Sequence, residues 1–222
     1  MFYISRGRVA DVLSSYDTHV WGLEKTYSQD QVGAVSLLAR MEFAGIDVGN
    51  RWADVAEHIA ARGADTVSPF LTLQYLYALA RTARPEAAAL MQAIETRAQT
   101  PAHDRAAWAD VAFSTARAIV AHAAGAFDLA LREMDQSLPR MTEIGDSHAQ
   151  RDLFEQIKLD ALIRAGRASA AQQVLEMRRT YDSDGVPLNR ALARVYTAVG
   201  LPEQARAAEN RASASEALAH RA

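Results

Sequence analysis

A turn that begins with glycine recurs three times in the second half of the chain and constrains the fold more than any other feature. The three glycines are Gly125, Gly166 and Gly200, separated by 41 (166 − 125) and 34 (200 − 166) residues. Each is followed five residues later by a small residue: Ala130, Ala171 and Ala205. Glycine permits a tight turn between two helices, and a small residue one and a half turns later lets their backbones approach closely. The repeat therefore predicts antiparallel helical hairpins.

Apolar residues follow helical rather than strand spacing along almost the whole chain. The clearest stripe consists of Leu188, Ala191, Leu192, Val195, Tyr196 and Val199. The composition is rich in alanine, which favours helices because alanine loses no side-chain entropy on entering one. Breaks that contain glycine or proline divide the chain into about ten or eleven helices, and short connections favour antiparallel neighbours. We predict an all-α fold in which residues 1–222 form a single helical-repeat domain.

One interval between the glycine turns equals the period of tetratricopeptide repeats, which is about 34 residues. The predicted architecture is therefore a tetratricopeptide-like α-α superhelix, a solenoid of antiparallel hairpins. Two local predictions accompany it. Pro139 should kink the helix that contains it, because proline removes a backbone hydrogen bond. Thr100 should cap the start of a helix whose first residue is Pro101.

The N-terminal segment "GRVADVL", from Gly7 to Leu13, fits the same turn pattern but has Val12 at the small position. Since only six residues precede Gly7, this segment is predicted to be the second helix of a pair whose first helix is barely present. We therefore predict that the chain lacks upstream repeats. An uncovered apolar end is expected to associate with another copy, so we predict a homodimer through the N-terminal end.

Charge and residue types argue against several kinds of partner and compartment. The formal net charge is −3 and the arginines are scattered, so no basic stripe is available to neutralise a run of phosphates and nucleic acid is not an expected partner. The absence of cysteine removes thiolate chemistry and suits a reducing cytoplasm. The N-terminus lacks the apolar core of a signal peptide, and no apolar run approaches the roughly 20 residues that span a bilayer. We expect a cytoplasmic protein that does not contact a membrane.

Three segments in the same order resemble the C-terminal half of the tetratricopeptide repeat protein 38 family. They are "GRVADVLSSYDTHVW" (Gly7 to Trp21), "LLARMEFAGIDVGNRWADV" (Leu37 to Val55) and "GDSHAQRDLF" (Gly145 to Phe154). The resemblance covers most of the chain and implies a curved array of helical hairpins. Family members carry further helical repeats upstream, and we expect this chain to lack them. The family implies little chemistry, so the resemblance bears on fold more than on function.

The densest polar cluster is "EIGDSHAQRDLFEQ", from Glu143 to Gln156. Within it Ser147 and Gln150 have the spacing of a capping box, and Gly145 fits the left-handed residue that ends the preceding helix. Three polar side chains remain after capping: His148, Arg151 and Asp152. They either fasten neighbouring helical turns or, since an arginine beside a helix N-terminus attracts anions, bind a carboxylate or phosphate.

Two further pairs of residues are candidate binding residues. Asp17 and His19 lie at the predicted end of a helix, where the carboxylate could orient the imidazole as a base. No nucleophile is identifiable beside them, and residues two apart do not share a helical face, so a helix-ending contact is the alternative. Arg51 and Trp52 follow a loop, and Trp52 could equally be a packing anchor. No histidine spacing or glycine-rich loop indicates a metal site, a cofactor or a catalytic residue.

These patterns favour a protein-interaction or scaffold module over an enzyme. Stacked hairpins create extended concave surfaces and contain no built-in catalytic chemistry, so we expect a protein or peptide partner on the concave face. The alternative is an enzyme or small-molecule binding protein with an anion-binding pocket inside the superhelix. That alternative requires the candidate residues to converge on one cavity.

Overall fold

The computed structural model describes residues 2–22 and 24–219, and within these residues it is all-helical with no strand. The α-helices are α1 (Phe2–Ser5), α2 (Val9–Ser15), α3 (Ser28–Phe43), α4 (Arg51–Ile59), α5 (Pro69–Arg81), α6 (Glu86–Gln99), α7 (Phe113–Ala123), α8 (Phe127–Ser137), α9 (His148–Arg164), α10 (Ala168–Arg179), α11 (Val186–Ala198) and α12 (Pro202–Ala219). The prediction of an all-α fold is confirmed. The predicted number of helices was too low, because the break between Val20 and Ser28, which contains the single glycine Gly22, was not predicted.

Short segments of other helix types extend several α-helices. Two π-helical segments, Tyr16–Val20 and Ala107–Ala112, adjoin α2 and α7, and a 3₁₀ turn, Ala60–Arg62, follows α4. A second 3₁₀ segment, Leu138–Ile144, carries Pro139 and continues directly from α8. The predicted kink at Pro139 therefore takes the form of a change from α to 3₁₀ helix.

The glycine turns predicted from the sequence are confirmed, and each joins the two helices of a hairpin. At Gly125, with φ +75°, the glycine N–H donates to the His122 carbonyl at 3.0 Å and the Ala126 N–H to the Ala121 carbonyl at 2.8 Å. This pair of bonds satisfies carbonyls at the helix end. Equivalent pairs occur after Gly166 and Gly200, and the small residues that follow are buried, namely Ala130, Ala171 and Ala205.

The same turn also ends α1, α3 and α5, so it occurs in all six hairpins. It begins at Gly7, at Gly45 and, without glycine, at Ala83, whose φ is +53°. The Ala83 N–H donates to the Ala80 carbonyl at 3.1 Å and the Arg84 N–H to the Leu79 carbonyl at 2.9 Å. The turns lie roughly 40 residues apart, which is typical of helical-hairpin repeats. The described chain is thus a series of six hairpins, from α1–α2 to α11–α12.

The hairpins pack on their neighbours in sequence, and the series also closes on itself. The first helices of successive hairpins contact one another from α3 through α5 and α7 to α9, and α3 in turn contacts α9. The central helix of this set, α5, is buried from Thr72 to Leu79, and its Tyr75 and Tyr77 side chains belong to the core. The second and fifth hairpins therefore pack directly against each other through α3 and α9, and we call the side of the array on which they meet the inner side.

A second closing contact joins the N-terminal end to the C-terminal hairpin. Helix α1 packs on α11, and the Ser5 hydroxyl donates to the Asp182 carboxylate at 2.9 Å. Val12, expected to form part of an uncovered end, is buried within the chain, whereas Val9 is 42% exposed and Phe2 is 63% exposed. Contacts within the chain thus cover part of the N-terminal apolar end and leave these two side chains exposed.

The start predicted for the helix after α6 was wrong. Thr100 follows the last residue of α6, and its hydroxyl donates to the Thr96 carbonyl at 2.8 Å instead of capping a new helix. Pro101 lies in the loop, and helical residues resume at Arg105. A threonine hydroxyl bonds equally well to a carbonyl one turn earlier, so the side chain alone did not distinguish a helix end from a helix start.

Candidate functional site

The polar cluster at the start of α9 is first of all a helix cap. The Ser147 hydroxyl accepts from the Gln150 N–H at 3.3 Å, and the Gln150 side-chain oxygen accepts from the Ser147 N–H at 3.1 Å. The predicted capping box is confirmed. Gly145 has a positive φ of +89°, but its ψ of −165° lies outside the left-handed helical region that was predicted for it. The His148 side chain is exposed at the first turn of α9.

Arg151 makes no ion pair with an acid of another hairpin among the residues that the structure describes. Its guanidinium donates to the Gly145 carbonyl at 2.8 Å and to the Asp146 carbonyl. Asp146 has a positive φ of +63°, so Arg151 fastens a turn whose backbone is held in an unusual conformation. Both hydrogen bonds come from one terminal nitrogen of the guanidinium, Nη1, so Arg151 has a structural role in this turn.

Asp152 bridges three helices through two arginines. Arg178 of α10 donates to one carboxylate oxygen at 2.6 Å, and Arg40 of α3 lies 3.6 Å from the other. Arg40 is only 6% exposed and also donates to the Ala149 carbonyl at 2.9 Å. Burial alone would raise the pKa of Asp152, but Arg178, a hydrogen bond from Gln156 and the charge of Arg40 together outweigh it and the pKa is lowered. Asp152 therefore stabilises the contact that closes the hairpin array.

Asp17 and Arg51, which sequence reasoning treated separately, form one ion pair. Asp17 lies on the π-helical segment after α2, and Arg51 opens α4. The guanidinium donates to both carboxylate oxygens, at 2.8 and 2.6 Å, and its carbon lies 5.9 Å from the centre of the Tyr16 ring. The hydrogen bond from Arg51 lowers the pKa of Asp17. This bidentate ion pair fixes the first hairpin against the second.

The remaining two predicted site residues have separate roles. His19 is exposed and hydrogen bonds with Thr18, so it is not oriented by Asp17. Trp52 is buried and its ring lies 5.7 Å from that of Tyr77, which supports its reading as a packing anchor. Within the described residues no hydrogen bond or ion pair connects the set around Asp17 with the set around Asp152.

A polar cluster around Asp54 was missed by sequence reasoning. The Asp54 carboxylate accepts from the Trp21 ring N–H at 2.6 Å and from Lys25 at 2.7 Å. His58, one turn later on α4, lies 3.4 Å from the same carboxylate and packs edge-on against Trp21. Burial opposes ionisation of Asp54, yet the bonds from Lys25 and Trp21 lower its pKa. The spacing of Asp54 and His58 is visible in the sequence, but the approach of Trp21 and Lys25 is not.

A groove lies between α8 and α10, with α9 at its base, and encloses about 650 Å³. Its apolar surface comes from Leu131 of α8, Leu162 of α9 and Ala170 and Val174 of α10. Leu131 and Leu162 are largely buried, whereas Ala170 is exposed at the edge. We call this region the α8–α10 groove. Its volume falls within the range of roughly 300–1,000 Å³ that ligand sites occupy.

Charged side chains form the rim of the α8–α10 groove. Arg167 pairs with Asp128 at 2.8 Å and Lys158 pairs with Asp135 at 2.6 Å. A third cation, Arg132, lines the groove and makes no ion pair with a carboxylate among the residues that the structure describes. The groove therefore combines an apolar base with a rim that carries three cations and two acids.

Neither metal ligation nor membrane insertion is indicated in the described part of the chain. It contains no cluster of three histidine or acidic side chains placed to hold a metal ion. None of its helices has the length and apolar character needed to cross a bilayer.

The sequence matches no protein-family model, and no solved structure shows a significant match. The structure thus defines an all-helical protein built from repeated hairpins.

Proposed function

We propose that this chain is a helical-repeat interaction module that binds a protein or peptide segment in the α8–α10 groove. The groove carries the proposal, because it pairs apolar side chains with a charged rim, as protein-recognition surfaces do. Two predictions from the sequence also favour a binding role. They are the resemblance to the tetratricopeptide repeat protein 38 family and the tetratricopeptide-like superhelix. The cysteine-free composition supports placing this module in the cytoplasm.

The α8–α10 groove is a better candidate for the partner site than the inner side of the array. On the inner side α3 packs against α9, and Arg40 and Asp152 occupy the contact. Arg151 and Asp152 are both engaged within the chain, so they do not favour the alternative of an anion-binding enzyme pocket. A partner docking in the α8–α10 groove would not have to separate packed helices.

Panning of a random peptide display library tests this proposal. The target is the wild-type chain, and the blocked variant is Ala170→Arg, which places a large charged side chain at an exposed alanine of the groove. Ala88→Arg makes the same change at an exposed alanine of α6, outside the groove, and is the matched control. We expect selected peptides to bind wild type and Ala88→Arg but not Ala170→Arg. A library that yields no peptide with this dependence would contradict the proposal.

We further propose that the N-terminal end associates with a second copy. Phe2, Tyr3 and Val9 are exposed there by 63%, 37% and 42%, a concentration of apolar surface at one end of the array. Light scattering should give the mass of a dimer for the wild type and of a monomer for Val9→Glu. A monomeric wild type, or a Val9→Glu variant that remains dimeric, would exclude this contact.

A further inference from the structure

The charges around the α8–α10 groove indicate what kind of segment it accepts. Arg132, Lys158 and Arg167 line it, against Asp128 and Asp135, so the groove has an excess of positive charge. The chain as a whole has a formal net charge of −3. The groove is therefore a locally cationic surface on an acidic protein, and such a surface attracts anionic segments by electrostatic steering.

The ion pairs already present on the rim do not block the cations. The side chains of Asp135 and Asp128 are 64% and 61% exposed, and exposed ion pairs contribute little to stability because water screens them. Arg167 lowers the pKa of Asp128 through its hydrogen bond, so this carboxylate stays ionised at neutral pH. A carboxylate of a ligand can share or replace such a partner at small cost.

Arg132 is the cation with the most unused hydrogen-bonding capacity. It lies four residues after Asp128 on the same face of α8 and its charge helps to lower the pKa of that carboxylate, but no hydrogen bond or ion pair joins Arg132 to an acid within the described chain. Its planar guanidinium can bind a carboxylate with two parallel hydrogen bonds. A ligand carboxylate beside Arg132 would thus form a pair that the isolated chain does not contain.

We infer that the α8–α10 groove binds an acidic peptide segment in which an apolar side chain is flanked by carboxylates. The apolar side chain packs on Leu131, Leu162 and Val174, and the carboxylates contact Arg132, Lys158 and Arg167. This inference rests on the proposed function and adds the chemistry of the partner. It commits to a peptide because the apolar base would contribute nothing to binding a small inorganic anion.

The peptides selected from the display library provide the first measurement. Clones that lose binding on Ala170→Arg should be enriched in aspartate and glutamate relative to the unselected library. Neutral or basic clones with the same dependence would overturn the acidic specificity while leaving the proposed function intact. Absence of any clone with this dependence would overturn both.

A second measurement assigns the carboxylates to the groove. The strongest acidic clone is made as a labelled synthetic peptide and titrated by fluorescence anisotropy. We expect Arg132→Gln to weaken binding about tenfold, since a hydrogen bond to a charged group contributes about 1.5 kcal/mol or more. Arg105→Gln removes the same charge from an exposed arginine that makes no ion pair in the described chain, and should leave binding unchanged. Equal losses in the two variants would show only a general charge effect and would overturn the assignment.

Discussion

Ala83 provides a direct test of the repeated hairpin turn, because it is the one position of the six that is not glycine. Its φ of +53° places an alanine in the left-handed region, which costs an L-residue about 1–2 kcal/mol. Glycine removes this cost but loses more entropy on folding, an effect of about 0.4–1 kcal/mol. The side chain is exposed, so Ala83→Gly sacrifices no buried contact. We expect Ala83→Gly to raise the free energy of unfolding by about 0.5–1 kcal/mol.

The reverse change at an equivalent turn is the matched control. Gly125 has φ +75°, and a Cβ built there would meet no atom within 4 Å, so Gly125→Ala changes backbone preference without a clash. We expect Gly125→Ala to lower the free energy of unfolding by about the same 0.5–1 kcal/mol.

Both variants are measured by denaturant titration and by thermal unfolding, where about 1 kcal/mol corresponds to roughly 2–4 °C in a domain of this size. Opposite signs at the two positions would support their equivalence. If both variants lower the free energy of unfolding, Ala83 does not occupy the left-handed turn position.

Substitutions at Asp152, Asp17 and Trp52, with Arg40→Met for comparison, probe the contacts around the predicted site residues. Asp152→Asn should lower the free energy of unfolding by up to about 3–5 kcal/mol, because it leaves buried Arg40 without its charge partner. Arg40→Met should lower it less. Denaturant titration that gives the larger loss for Arg40→Met would contradict this reasoning. Asp17 has a pKa lowered from 3.8, so its ion pair stabilises the fold fully above that pH and is lost as pH falls towards the folded pKa. The gap in thermal midpoint between wild type and Asp17→Asn should therefore close in acid, and a gap independent of pH would exclude the ion pair as its cause. Trp52→Ala should cost about 3–5 kcal/mol in denaturant titration, and a cost below about 1 kcal/mol would rule out a role as packing anchor.

The features predicted correctly from the sequence depend on residues close together in the chain. The turn at Gly166 and the capping box of Ser147 and Gln150 are each formed within about one or two helical turns, so spacing and residue type were sufficient. The left-handed turn at Ala83 was not predictable in this way. Its position is set by the packing of α5 and α6, which outweighs the intrinsic preference of alanine.

The features that sequence reasoning missed depend on contacts between distant parts of the chain. Arg51 meets Asp17 across 34 residues, and Arg40 meets the Ala149 carbonyl across 109 residues. No periodicity within one helix reports which of many charged residues will face each other after folding. The same holds for the α8–α10 groove, since the charges of its rim come from α8, α9 and the turn before α10 and look like ordinary exposed residues in the sequence.

Helix α9 takes part both in closing the array and in forming the α8–α10 groove, but through opposite ends. Asp152, near its start, binds Arg178 near the end of α10, whereas Leu162 lies near the turn at Gly166. The two backbone bonds of that turn hold the groove end of the α9–α10 hairpin independently of the ion pairs. We therefore expect Asp152→Asn to lower stability but to change the affinity for a groove-binding peptide less than about twofold, measured by anisotropy well below its thermal midpoint. A tenfold loss of affinity in the folded variant would show that closure of the array and the shape of the groove are coupled.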